Sequence, residues 1–168
     1  MQSSQKYVRV AGDVSIDTVK ITTRNGLGQD VSAQVIAIQI FEDIFSPFIT
    51  GSLILRESLD LLNLFPFSGE EQLELEVSTP SLDKGNIKGK FYIYKMTDRE
   101  LLGEKSVVYQ LHFISPEAII DINKKVSRVF GDKPHTIVDY LMTDEINGLQ
   151  TKKTIKYEPS NNYIKFIS

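Results

Sequence analysis

The chain has 168 residues, 41% of them hydrophobic, with 19 Lys and Arg against 22 Asp and Glu and no cysteine. At that length one domain, or one domain and part of another, removes about 70% of the unfolded surface from water. The formal net charge of -3 argues against nucleic-acid sequence recognition, which needs a basic surface. The lack of cysteine excludes disulfides, thiol catalysis and thiolate metal sites.

The same lack of cysteine fits maturation in a reducing cytosol. No stretch approaches the ~20 apolar residues of a membrane span, so no direct membrane insertion is expected. The opening MQSSQK lacks the apolar run of a signal peptide.

Residues 7–10 read as a first edge strand and Gly12-Asp13 as a turn. Residues 14–22, VSIDTVKIT, are rich in β-branched side chains and read as a strand, with a bulge where the alternation slips at Asp17-Thr18. Residues 24–30 read as a loop, in which Asn25-Gly26 is a hairpin signal. The Gly26-Leu27-Gly28 run is not a phosphate loop, because a strand rather than a helix follows it.

Residues 34–42 form a strand with Ile36, Ile38 and Ile40 on one face and Val35, Ala37 and Phe41 on the other. Two apolar faces predict a strand that is central in a barrel or covered on both sides. Residues 44–50, IFSPFIT, are a loop in which Pro47 stops pairing. Residues 51–57 resume as a strand. Ser58 then caps a short helix over residues 59–64, limited by Pro66.

Residues 70–78 carry the cleanest period of two in the chain, with Leu73, Leu75 and Val77 inward and Gln72, Glu74 and Glu76 outward. A turn-rich connection over residues 79–86 leads to a strand over residues 87–97. This strand puts Phe91 and Ile93 on one face and Tyr92, Tyr94 and Met96 on the other. Residues 98–105 turn back, with Gly103 at positive φ. Residues 106–114 carry the apolar row Val107, Tyr109, Leu111 and Phe113.

Composition changes after Ile114. Ser115-Pro116-Glu117 starts a helix running to Lys124 or Lys125. Residues 131–134 are a break, and a second helix follows to Glu145 with Ile137, Val138, Leu141 and Met142 as its buried stripe. Asn147-Gly148 closes it. TIKYE and YIKFI are β-like pieces of an uncompleted unit. The fold class is therefore α+β: an antiparallel split barrel with a short inserted helix over residues 1–115, then a helical and mixed segment over 116–168. That segment is expected to continue as a second domain past Ser168.

Chemistry is sparse. His112 and His135 have no second ligand at metal spacing, so no metal site is expected. Glu70, Glu71, Glu74 and Glu76 could suggest paired catalytic carboxylates; Glu74 and Glu76 lie instead on the wet side of a half-buried strand and read as a solvated acidic face. Lys88, Lys90, Tyr92 and Tyr94 could stack bases or sugars. Pairing of the two lysines with the glutamates of the preceding strand is the favoured alternative. Phe45, Phe48 and Ile49 either tuck under the sheet or stay exposed as a contact for another chain.

The order of these elements resembles a known family, the baseplate hub proteins of contractile-tailed bacteriophages of the T-even type. The resemblance rests on the strand into FEDIFSPFITGSLILRES, the helical turn, EEQLELEVS, the hairpin FYIYKMTDRELLGEKSVVYQLHFIS, and PEAIIDINKKVSRVFGDKPHTIVDYLM. It implies a tail-tube-like barrel and a structural role without catalytic residues or cofactor. It further implies a homotrimeric ring joining the tail tube protein to the central spike protein among other baseplate proteins. Such a protein would reside in the virion after assembly in the host cytoplasm.

Hub and spike components of type VI secretion-like injection systems are the related alternative, and a carbohydrate- or oligonucleotide-binding barrel acting through Lys90, Tyr92 and Tyr94 is the unrelated one. The resemblance carries interface candidacy onto Phe45, Pro47, Phe48, Ile49, Leu62, Phe65 and Pro66.

Overall fold

A computed structural model describes residues 14–58, 67–79, 86–103 and 106–167. The expected strand at residues 7–10, the helix at 59–64, and the candidates Leu62, Phe65 and Pro66 lie outside these residues. The chain divides into two compact units, residues 1–115 and 116–168.

Among the described residues the first unit is built on one antiparallel sheet. Its strands are β1 (Ser15–Thr22), β2 (Gly28–Asp30), β3 (Val35–Phe41), β4 (Thr50–Glu57), β5 (Gln72–Ser78), β6 (Ile87–Leu102) and β7 (Ser106–Ile114). They lie in the order β2-β1-β5-β6-β7-β4-β3. β2 and β3 are thus at opposite ends of the order, yet only residues 31–34 join them, with a 3-10 turn at Ser32–Gln34.

A flat seven-stranded sheet would hold those ends about 29 Å apart at ~4.8 Å per strand. Five Cα steps reach only about 17 Å even when fully extended. The sheet must therefore curl until its ends approach. The contacts agree, since the Val31 amide donates to the Val19 carbonyl at 2.8 Å and the Val19 amide donates to Ser32 Oγ at 2.8 Å. The 3-10 turn packs against both β1 and β4. A curled, barrel-like antiparallel sheet is the result.

The concave face holds the core. Val19, Leu53, Leu55, Leu73, Leu75, Phe91, Ile93, Tyr109, Leu111 and Phe113 are buried together, and Val31 joins them from the connection. The inward rows of β5 and β7 are those expected from alternation. Phe91 and Phe113 pack with ring centroids 5.0 Å apart. Each such side chain contributes roughly 1.5–3 kcal/mol through removal from water, so the facing rows of β5, β6, β7 and β4 hold the unit together.

Bulges explain where alternation alone fails. β1 shifts register between Ile16 and Thr18, where the sequence slips. β3 shifts between Val35 and Ala37, which corrects the expected faces. Val35 packs on the core together with Ile38 and Ile40, while Ile36, at the bulge, is turned outward and is 56% exposed. Nor is β3 central: among the described residues its one strand partner is β4.

β6 corrects the expected turn at residues 98–105, because pairing continues to Leu102 opposite Ser106. Two bulges, between Ile93 and Lys95 and between Thr97 and Glu100, reset its faces, so Met96 pairs with inward Leu111 rather than sharing a face with Tyr92. Gly103 does take the positive φ, 71°. Residues 28–30, expected as loop, instead pair with β1 as β2.

The second unit contains α1 (Pro116–Asn123), β8 (Phe130–Asp132), α2 (Pro134–Thr143) and β9 (Ile164–Ile167). The expected break at residues 131–134 holds a strand, because β8 pairs antiparallel with β9. TIKYE forms no strand. Of the stripe expected on α2, Ile137 is buried, Leu141 and Met142 are half-buried and Val138 is exposed. Asp144 ends that helix, its carboxylate accepting the amides of Ile146 and Asn147. Those two bonds hold the carboxyl below its ordinary range.

Candidate interaction surface

The loop between β3 and β4, residues 42–49, is built around Asp43. Its carboxylate accepts the Phe45 amide at 2.9 Å, and its carbonyl accepts the Ser46 amide at 3.1 Å. This is a side chain mimicking a backbone turn, as Asp does in loops. On the far side the Phe48 amide donates to Ser46 Oγ at 3.2 Å. The Ile49 amide donates to Ser115 Oγ at 3.0 Å, and the Ser115 amide donates back to the Ile49 carbonyl at 2.9 Å.

The Ile49 end of the loop is therefore tied to Ser115, and its tip is held by local bonds. Ile44 and Phe45 stand at that tip, 93% and 94% exposed. Phe41, at the end of β3, is 57% exposed. Single exposed apolar residues are ordinary; here two large ones stand side by side on a hydrogen-bonded turn.

The sequence candidates separate accordingly. Phe45 and Pro47 are exposed and Phe48 is half-buried. Ile49 packs against the core, so its side chain belongs to the sheet and not to the tip. Ile44, Phe41 and Ile36 were missed. Ile44 could have been found from the Asp43 turn signal, which aims the next two side chains outward. Ile36 and Phe41 depend on a bulge and an edge position that alternation does not reveal.

Among the described residues β3 is also an edge of the sheet. β3 reads VIAIQIF, with no charge and no proline. Edge strands normally carry such residues to prevent unwanted pairing.

The acidic strand has a different role. In register, Glu74 lies between Lys20 of β1 and Lys90 of β6, and Glu76 between Thr18 and Lys88. Lys88 reaches Glu76 at 2.7 Å, and that bond raises its pKa. The Gln72 amide donates to Tyr92 Oη at 3.4 Å, and the Tyr94 ring packs beside His112, 6.2 Å between centroids. Lys88 is thus engaged with the preceding strand, as the pairing alternative expected, Lys90 stands opposite Glu74 in register, and Tyr94 remains 51% exposed.

Glu71 departs from the solvated acidic face. It is 1% exposed, and its carboxylate accepts Ser68 N, Ser68 Oγ and Gly69 N at 2.7–2.9 Å. It pins the turn into β5.

His112 Nε2 lies 2.9 Å from Thr97 Oγ1, and His135 accepts a backbone amide through Nδ1. Among the described residues no group of three or more His, Asp or Glu could hold a metal ion, and no helix is long and apolar enough to cross a membrane.

No family model matches the chain, and no curated protein matches it. A solved structure to which it is similar is a Francisella PdpA-VgrG complex in a half-lidded form, at 13% identity and a TM-score of 0.42. The similarity covers 75% of this chain and 21% of that one. Likeness at that level decides neither fold nor role.

Proposed function

We propose that the chain is a structural assembly subunit and not an enzyme, of the baseplate-hub kind found in contractile-tailed phages. In this reading three copies form a ring between a tail tube protein and a central spike protein. The protein then resides in the virion after assembly in the host cytoplasm. The observation that carries the reading is the tied loop presenting Ile44 and Phe45 on a curled antiparallel sheet. A water-exposed apolar tip that the backbone holds in place is pre-organised for a partner, so little ordering cost remains to be met on binding. The order of strands quoted above supplies the hub setting, and a type VI secretion-like hub or spike is the nearest alternative.

Obligate rings of this kind are held by interfaces on the order of 2,000 Å² or more. Light scattering on the full-length protein is expected to give a trimer. Ile44→Asp combined with Phe45→Asp is expected to shift the mass to monomer and to leave a thermal midpoint that no longer depends on protein concentration, the monomer fold staying intact because neither side chain is buried in the free chain. Capture by tube and spike proteins, compared between phage and secretion-system partners, separates the two settings. A wild-type monomer at micromolar concentration that binds neither partner overturns the reading.

A further inference from the structure

Residues 151–163 cross the second unit without regular secondary structure. Their attachments are chemically unequal. At one end Thr151 Oγ1 donates to Glu117 Oε1 at 2.7 Å, and Lys153 Nζ lies 3.3 Å from Glu117 Oε2. At the other end the Tyr163 hydroxyl donates to the Gly131 carbonyl. Between them the Ser160 amide donates to His135 Nδ1 at 3.0 Å, and the Tyr157 ring stacks on the imidazole, 5.4 Å between centroids and 25° apart.

A backbone amide can only donate, so Nδ1 must be the unprotonated nitrogen and the ring proton sits on Nε2. Once the ring becomes imidazolium, both nitrogens carry protons and Nδ1–H faces Ser160 N–H. The bond then becomes a repulsion. We propose that residues 158–160 form an acid-released section of this strap: His135 holds Ser160 when neutral and lets it go when protonated.

The surroundings keep the release local. Tyr157 is the titratable group facing the ring from the strap, flanked in sequence by Lys156 and Glu158; Asp139 lies one turn further along α2, and Asp132 and Lys133 precede the helix. The Glu117 anchor resists acid better. Burial pushes its pKa up, but the Thr151 bond, a backbone bond and the Lys153 charge outweigh burial and hold the carboxyl below its ordinary range. Mild acid therefore frees the backbone around Ser160, while Thr151 and Tyr163 stay attached and the Tyr157 face, which attracts a cation, keeps its stack on the ring.

The strap also supplies one wall of a cleft of about 380 Å³, with Lys153, Ile155, Lys156 and Tyr157 facing Asp139 and Thr143 of α2. The inference does not depend on the hub reading, because every group lies within the second unit.

Amide hydrogen exchange on the whole chain, corrected for intrinsic rates, tests it between about pH 8 and about pH 5. Ser160 protection is expected to fall at least about tenfold, a 1.4 kcal/mol change, while the Leu149 and Thr151 amides, which donate to Leu141 and Met142 of α2, keep theirs. His135→Asn places a non-titrating oxygen near the position of Nδ1 and is expected to make Ser160 protection independent of pH. Ser160 protection that stays flat in wild type, falls equally in His135→Asn, or falls only together with Leu149 and Thr151 overturns the proposal.

Discussion

Among the described residues Glu71 and Glu117, like Glu57, are buried carboxylates, and each of the first two is stabilised by specific donors rather than by general solvation. For Glu117 the balance has a pH consequence. Its folded pKa is below its ordinary value of 4.5, so its contribution to stability is fully present above that value. It is lost as pH falls through the lower, folded one. Glu117→Gln keeps a partner for Thr151 but removes the charge facing Lys153. The expected result is a loss of about 1–2 kcal/mol at neutral pH and a flatter dependence below about pH 4.5, read by urea unfolding at several pH values. A variant as stable as wild type at pH 7, with an unchanged acid limb, would contradict this. Neither burial was legible in the sequence, where Glu117 reads as a first-turn acid and Glu71 as one of a run of surface acids. Their partners, Thr151 and the Ser68-Gly69 turn, are set by tertiary path and turn geometry.

At the scale of elements, the rows that read most plainly are the ones with uninterrupted alternation: β5 and β7 bury the side chains that period two assigns them. The misread elements are those with extra residues. A bulge reverses which residues share a face without changing composition, so β3 kept its strand identity while Ile36 moved to water. Likewise β6 ran through its expected turn because Asp98 takes φ 53° within a bulged strand. β4 lies between β3 and β7 and depends on a close approach at Gly51, where an added Cβ would collide with the Phe113 ring and the Gln39 carbonyl. Gly51→Ala is expected to destabilise the first unit by about 1–3 kcal/mol through overpacking, seen as a lower urea midpoint with unchanged slope. An unaltered midpoint would mean that the Phe113 ring and the Gln39 backbone both give way. The loop candidates were half legible: Phe45 and Ile49 share one apolar stretch, and only the Ser115 bonds decide that one faces out and the other in.

For the whole molecule, the class of fold follows from alternating strands and then helices, but the curl follows from connectivity, which no local pattern carries. Only the strand order identifies residues 31–34 as the joint between the two ends of the sheet. That joint acts as a clasp on a hoop. A seam held by hydrogen bonds alone can breathe, whereas this one is bridged by covalent chain and pinned by buried Val31. Lengthening the clasp with a flexible Gly-Ser insert between Val31 and Ser32 should slacken the hoop while leaving every hairpin intact. The Val19 amide, which donates to Ser32 Oγ, is expected to exchange faster first, before amides shared by β5, β6 and β7. Equal acceleration everywhere, or none, would show that the hoop bears no load there. The mechanical stiffness of this small sheet, and with it the fixed aim of Ile44 and Phe45, thus hangs on four residues remote from them in sequence pattern but joined to the same strand, β3.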